Sequence, residues 1–241
     1  MIKVRNLKPK PVNPKILEQQ RLIDIKLKDK FILHQLKPKL KYSENPLYKT
    51  NRGYKDYNLA FDDILTEKSL FEFIKNRFKT KKLKILEEGA GQTVFLNEIK
   101  DLLLKEGIKS ETTAITLTPG VTRKNTRANI LIKKDSLKTT KLQEYDLIFS
   151  VFGGIHYNIK ELDRNLVLKF ANSLSKNGVF FIGVNRLGAY KPLVLQKVNY
   201  KGFFNNITRS LNKSGFNVDC KFVPVNGLRH LPVFIFKITR K

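Results

Sequence analysis

The segment Glu87-Glu88-Gly89-Ala90-Gly91-Gln92-Thr93 is where this chain is best equipped to hold a ligand. Residues 83–86, with Leu83, Ile85 and Leu86, predict a short strand that ends on the two carboxylates, and residues 94–105 predict a helix beginning just past Thr93. Glycine at 89 and 91 lets the backbone take open conformations and approach a ligand closely. The helix start adds unpaired N–H groups. A lone Gly-x-Gly also marks an ordinary strand-to-helix turn. The strand before it, the helix after it and the acid two residues ahead of Gly89 favour a cofactor site. A dinucleotide fits poorly. Val94 stands where the dinucleotide fingerprint wants a third glycine, and the second strand, in AITLTPG, ends on Thr116 and Thr118 with no acid.

A second group of chemically able residues closes the fourth predicted strand: Ser150-Val151-Phe152-Gly153-Gly154-Ile155-His156-Tyr157. Ligands gather at the carboxyl ends of parallel strands, so this stretch should line the substrate side of the cleft. Imidazole exchanges a proton near neutral pH more readily than other side chains, so His156 is the candidate base or substrate contact, with Tyr157 beside it. The competing reading of His156 is a histidine hydrogen-bonded to the sheet end. His230 reads as a loop residue and His34 lies in the basic extension. The three histidines have no metal-ligand spacing. Cys220 is the only cysteine, which excludes an internal disulfide and a cysteine-based metal cluster. It falls on a late predicted strand and reads as core.

The elements that must position these groups follow a regular alternation. Residues 69–79 predict an amphipathic helix with Leu70, Phe71, Phe73, Ile74 and Phe78 on its apolar side. Strands are predicted at 83–86, 113–117, 130–132 and 145–151. Thr118-Pro119 offers a helix start after the second strand. A helix over 162–174 should bury Leu166, Leu168, Phe170 and Leu174. Asn177-Gly178 reads as a turn into a strand at 179–184, followed by a helix at 203–211. Strands at 217–223 and 233–238 have no helix between them and should pair antiparallel at the sheet edge. Such alternation implies a parallel sheet covered on both faces.

The chain has 241 residues, 41% hydrophobic, enough for one core with an extension. Residues 1–50 form a basic segment with prolines at 9, 11, 14, 38 and 46 that preclude one long helix. Within it, 16–40 fits either a strand hairpin or a helical face. The stretch KYSENPLYKTNRGYKDY interleaves tyrosines with basic residues, which suits base stacking or substrate contact; a loop whose tyrosines pack on the domain fits as well. The net charge is +26, from 47 Lys+Arg against 21 Asp+Glu. That excess attracts polyanions, so a nucleic-acid partner is one reading; lysine-rich compositional drift is the other. The apolar runs are too short to span a bilayer and the first residues lack the apolar centre of a secretory signal. A soluble, cytoplasmic protein with no membrane partner is expected.

These segments resemble the class I S-adenosylmethionine-dependent methyltransferases. Glu87 to Thr93 is similar to that family's Asp/Glu-x-Gly-x-Gly-x-Gly/Thr pattern. KDSLKTTKLQEYDLIFSVFGGIHY resembles its acidic third motif and fourth strand, and FANSLSKNGVFFIGV its helix, turn and fifth strand. The resemblance implies an α/β fold over residues 51–241: a three-layer Rossmann-like sheet of seven strands, the last antiparallel, behind a basic extension at 1–50. It implies S-adenosyl-L-methionine as cofactor and no metal. Glu87 becomes the cofactor carboxylate, facing the ammonium directly, through water, or near the sulfonium. Gly89, Ala90, Gly91, Thr93, Thr116, Leu117, Asp135, Ser136 and Ser150 complete the implied cofactor set, with Asp135 near the adenine. Members usually carry Asp or Glu near position 116 to accept both ribose hydroxyls; Thr116 departs from that.

The implied activity is methyl transfer by in-line displacement to an acceptor that could be a small molecule or a nucleic acid. The Asp/Asn/Ser-Pro-Pro-aromatic motif of amino-methylating nucleic-acid enzymes is missing after the fourth strand, and no cysteine lies there for a covalent cytosine mechanism. That favours the small-molecule and general branch, with residues 1–50 as a lid. The alternative is a nucleic-acid-binding protein on a degenerate methyltransferase scaffold.

Overall fold

The computed structural model describes residues 52–79, 82–118, 121–134, 136–139, 142–151, 164–184, 200–222 and 234–241. The basic extension with its ambiguous 16–40 stretch lies outside them, as do Asp135, His34, His156, Tyr157 and His230.

Helix α1 (Tyr54–Phe61) opens the described chain. Gly53 is its N-cap residue, and the Gly53 N–H is returned to the Asp56 carboxylate at 2.9 Å. A short 3₁₀ turn (Asp62–Ile64) leads to α2 (Leu70–Arg77), whose N-cap Ser69 accepts the Glu72 N–H. The tyrosine-rich stretch is therefore not all loop. Its last two tyrosines sit on a helix because Tyr57, Ala60 and Phe61 recur at helical spacing and are buried.

The rest is a seven-stranded sheet of order β3-β2-β1-β4-β5-β7-β6. Its strands are β1 (Lys82–Glu88), β2 (Lys109–Ile115), β3 (Ile130–Ile132), β4 (Tyr145–Val151), β5 (Leu174–Val184), β6 (Phe216–Phe222) and β7 (Phe234–Arg240). All pairs are parallel except those of β7, which runs antiparallel between β5 and β6. The closing pair is thus the expected antiparallel hairpin, with β6 as the outermost strand. Cys220 lies on that edge strand and is exposed, so the expectation of a core cysteine is corrected.

Helices α3 (Val94–Lys105), α4 (Arg164–Asn172) and α5 (Tyr200–Lys213) complete three layers. On one face α1, α2 and α3 bury Phe61, Phe73 and Phe95 against Leu83, Ile85, Phe149 and Phe181. On the other, α4 and α5 bury Leu166, Phe170, Ile207 and Leu211 against Leu86, Ile148, Phe180 and Ile182. Each such side chain contributes roughly 1.5–3 kcal/mol, so sheet and helices are held together mainly by apolar burial.

Local expectations change at several points, and Leu174, expected at the end of the helix over 162–174, instead opens β5. The second strand starts at Lys109, four residues earlier than its apolar content suggested, because Lys109, Ser110 and Glu111 pair in register with Lys82, Leu83 and Lys84 of β1. Residues 121–134, after Thr118-Pro119, form no helix; a turn at 123–125 is closed by Asn125 N–H to the Thr122 carbonyl. Asn177-Gly178 is not a turn before the fifth strand but part of an arch within it. Tyr145 pairs with Leu174 while Leu147 pairs with Val179, so residues 175–178 bow out of the ladder. A Cβ on Gly178 would lie 2.9 Å from the Tyr145 carbonyl oxygen, which is why the arch needs glycine there.

Candidate functional site

The strand order reverses between β1 and β4, and the glycine turn leaves β1 at the carboxyl end of that crevice. Gly89 (φ 73°) and Gly91 (φ 51°) occupy the left-handed region. Their loop is pinned to the neighbouring strand, since Gly89 N–H and Ala90 N–H both donate to the Ile115 carbonyl at 3.0 Å. Thr93 follows at φ 64°, an unusual conformation for a β-branched residue. Its N–H donates to the Ala90 carbonyl at 2.7 Å and its hydroxyl meets that of Thr126 at 2.7 Å. Thr93 thus has its own partners while serving as N-cap of α3, and its side chain does not cap the helix.

Alternation along β1 sends its last two carboxylates to opposite faces. Glu87 points to the α1–α3 side and is 2% exposed. The Tyr57 phenol donates to Glu87 Oε1. The Tyr57 ring stacks on Phe95 with centroids 3.8 Å apart and meets Phe149 edge-on at 5.8 Å. Burial pushes the Glu87 carboxyl up to about 8, against the downward pull of the Tyr57 hydrogen bond and the nearby Arg52 charge. Glu87 Oε2 is buried and has no hydrogen-bond partner among the described residues. A buried acceptor of that kind calls for a donor or a cation. Arg52, half-buried, donates from Nη1 to the Val151 carbonyl at 2.9 Å, which anchors the start of α1 at the end of β4. The Tyr54 N–H donates to Glu98 on α3 and secures the same helix from the other side.

Glu88 points to the opposite face, is fully buried, and accepts from the hydroxyls of Ser136 and Ser150, the latter at 2.6 Å. Both serines of the expected cofactor set therefore face a carboxylate of the protein itself. The turn carrying Ser136 is held further by Lys169 of α4, whose Nζ donates to the Ser136 carbonyl at 2.7 Å. Thr116 is likewise committed. Its hydroxyl donates to the Gly91 carbonyl at 2.9 Å and accepts the Thr118 N–H at 3.0 Å. Leu117 beside it is 40% exposed, one of two exposed large hydrophobic residues among those described.

The structure thus brings Glu87, Gly89, Ala90, Gly91, Thr93, Thr116, Leu117, Ser136 and Ser150 to the ends of adjoining strands and the turns that follow them. Three residues that the sequence did not single out organise them: Tyr57, Arg52 and Glu88. The signal for Tyr57 was the Tyr54, Tyr57, Ala60, Phe61 spacing; for Glu88 it was the second acid at a strand end, whose face alternation assigns.

Solved structures share this architecture. The plantazolicin methyltransferase BpumL, in complex with a monoazolic desmethylPZN analog and SAH, superposes with a TM-score of 0.54 at 16% identity, covering 94% of this chain and all of that one. A S-adenosylmethionine-dependent methyltransferase from Clostridium acetobutylicum gives 0.53 at 11% identity, over 79% of this chain and 92% of its own. A structure from Listeria monocytogenes, described as a putative class I S-adenosylmethionine-dependent methyltransferase, gives 0.50 at 12% identity, over 93% of this chain and 88% of its own. No family model matches the chain. No curated protein matches it in sequence. The likenesses establish the fold: this is the Rossmann-like class I methyltransferase architecture, with its seven strands and antiparallel β7.

Proposed function

We propose that the protein is an S-adenosyl-L-methionine-dependent methyltransferase. The observation that carries this reading is the buried Glu87 at the end of β1, with Oε2 lacking a partner among the described residues, beside a glycine turn in this fold. An α-ammonium group suits that oxygen. Gly89 and Gly91, on either side of Ala90, let the ligand approach the backbone, and Leu117 offers an apolar surface at the end of β2. When bound, the cofactor supplies an electrophilic methyl group on a sulfonium. The protein's part is alignment of an acceptor at the carboxyl ends of β4 and β5, and removal of its proton where it carries one. His156 and Tyr157 remain the residues proposed for proton removal or acceptor contact, and Asp135 for the adenine side.

For the serines and Thr116, the hydrogen bonds favour a part other than the cofactor contacts that the resemblance implies. In this reading they hold the turns around the cofactor through Glu88 and Gly91 and do not themselves bind it. Calorimetry with S-adenosylmethionine and S-adenosylhomocysteine tests the proposal. Saturable binding that Glu87→Ala abolishes is expected. Absence of binding at millimolar ligand would overturn the reading.

A further inference from the structure

Glu87 has one oxygen held and one oxygen without a partner among the described residues, and what makes the difference is a residue from outside the motif. Tyr57 comes from α1, thirty positions earlier in the chain, and its phenol donates to Oε1. The ring has little freedom. It is 1% exposed, stacked within 8° of parallel on Phe95 and edge-on to Phe149, the β4 neighbour of Glu87 in register. The helix beneath it is anchored at its start by Arg52 on Val151 and by the Tyr54–Glu98 contact.

We propose that Tyr57 is a positioning residue for the cofactor carboxylate: its stacked phenol holds Glu87 Oε1, and so commits Oε2 to the ligand's α-ammonium. This deepens, and rests on, the reading of the turn as the cofactor site. The described groups that face or influence Glu87 are few. They are Tyr57 on α1, Arg52 just before it and Glu88 on its own strand, while α3 and β4 present Phe95 and Phe149. In that apolar setting Tyr57 also favours the ionised carboxylate, because a donor stabilises charge that burial disfavours. Tyr57 therefore holds Glu87 in place and partly offsets the burial that disfavours its ionisation, and removing its hydroxyl disturbs both.

Tyr57→Phe keeps the ring stack and deletes only the donor. The measurement is the dissociation constant of S-adenosylhomocysteine from pH 6 to pH 8.5, for the wild-type chain and Tyr57→Phe, with thermal unfolding as the check on folding. Wild-type affinity should rise about tenfold per pH unit below pH 8 and then level off, because the carboxylate must ionise to receive the ammonium. Tyr57→Phe should bind about tenfold more weakly at pH 7, with the rise continuing to higher pH. An unchanged constant and profile would overturn the proposal, and so would a loss equal at every pH, which marks a merely structural role. A wild-type chain that binds no S-adenosylhomocysteine would instead bring down the cofactor reading, and this inference with it. A readout without ligand is the carboxylic-acid infrared band of Glu87, identified by its loss in Glu87→Gln. Its titration midpoint should move up in Tyr57→Phe, and an unmoved midpoint would also overturn the proposal.

Discussion

The Ser150 hydroxyl donates to Glu88 Oε2 across 2.6 Å, tying the ends of β4 and β1 together on the face opposite Glu87. Ser136 donates to the other oxygen of the same carboxylate, so Glu88 joins two strand ends to the turn after β3. Removing the acceptor strands two buried hydroxyls, each costing about 1–3 kcal/mol if nothing replaces it. Glu88→Ala should lower stability by roughly 3 kcal/mol and Ser150→Ala by about 1 kcal/mol. In urea unfolding the double variant should lose less than the two combined, because the residues share one interaction. Strict additivity would mean the pair is not coupled.

Two glycines separate two physical reasons for the same residue type. Gly107, just past α3, takes φ +73° with open space where a Cβ would sit, whereas a Cβ at Gly178 would press on backbone of Tyr145 and Ser175. Gly107→Ala should cost about 1 kcal/mol from the left-handed backbone alone, and Gly107→Asn should recover part of it, since asparagine tolerates that region. Gly178→Ala should cost about 1–3 kcal/mol by overpacking, and asparagine there should be worse, not better. Thermal unfolding of the four variants checks this. Recovery by asparagine at 178 would refute the steric account of the arch.

Glu87 gives the ligand-free protein a pH signature with a definite sign. Its carboxyl is raised to about 8 in the fold from an ordinary 4.5, so the native state holds the proton more tightly than the unfolded chain. The resulting stability is fully present below about pH 4.5 and is lost as pH rises through 8. Between pH 5.5 and 8 this amounts to roughly 2–3 kcal/mol. Urea unfolding should show wild-type stability falling across that window while Glu87→Gln stays flatter. Parallel profiles would assign the decline to other groups.

The sequence was most legible where the signal is local. The bounds of α3, β3 and β4 follow from apolar spacing and turn residues, and the glycine turn from its composition. What it hid depends on pairing between distant segments. Lys109 to Glu111 are strand because β1 provides a parallel ladder for them, not because of their own character. The arch at 175–178 is visible only from the register between β4 and β5. Tyr57 had helical spacing in its favour, but nothing local ties it to Glu87. Ser150 reads as closing the fourth strand, where it lies, yet the partner it shares with Ser136, Glu88, follows only once alternation fixes which carboxylate faces which way.

At Thr116 the family resemblance and the observed hydrogen bonds point in different directions. Members of the methyltransferase family usually have an acid near this position, which invites the idea that Thr116→Asp would restore a ribose contact and tighten binding. The structure argues the opposite. Thr116 is 2% exposed, and its hydroxyl proton goes to the Gly91 carbonyl of the glycine turn. A carboxylate has no proton to give, so Asp would set a negative charge against that carbonyl oxygen in a buried position. Among the described residues the Thr118 N–H, at 3.0 Å from the present hydroxyl, would remain as a donor there. Thr116→Asp should therefore cost about 2–3 kcal/mol of stability and weaken S-adenosylhomocysteine binding by loosening the turn at Gly91. Thr116→Ser, which keeps the donor, should bind within about twofold of wild type, since a few tenths of a kcal/mol is all that separates them. Paired unfolding and calorimetry on the two variants decide the matter: tighter binding by Thr116→Asp would show that the hydroxyl's place against Gly91 is dispensable and that position 116 is a ribose contact after all.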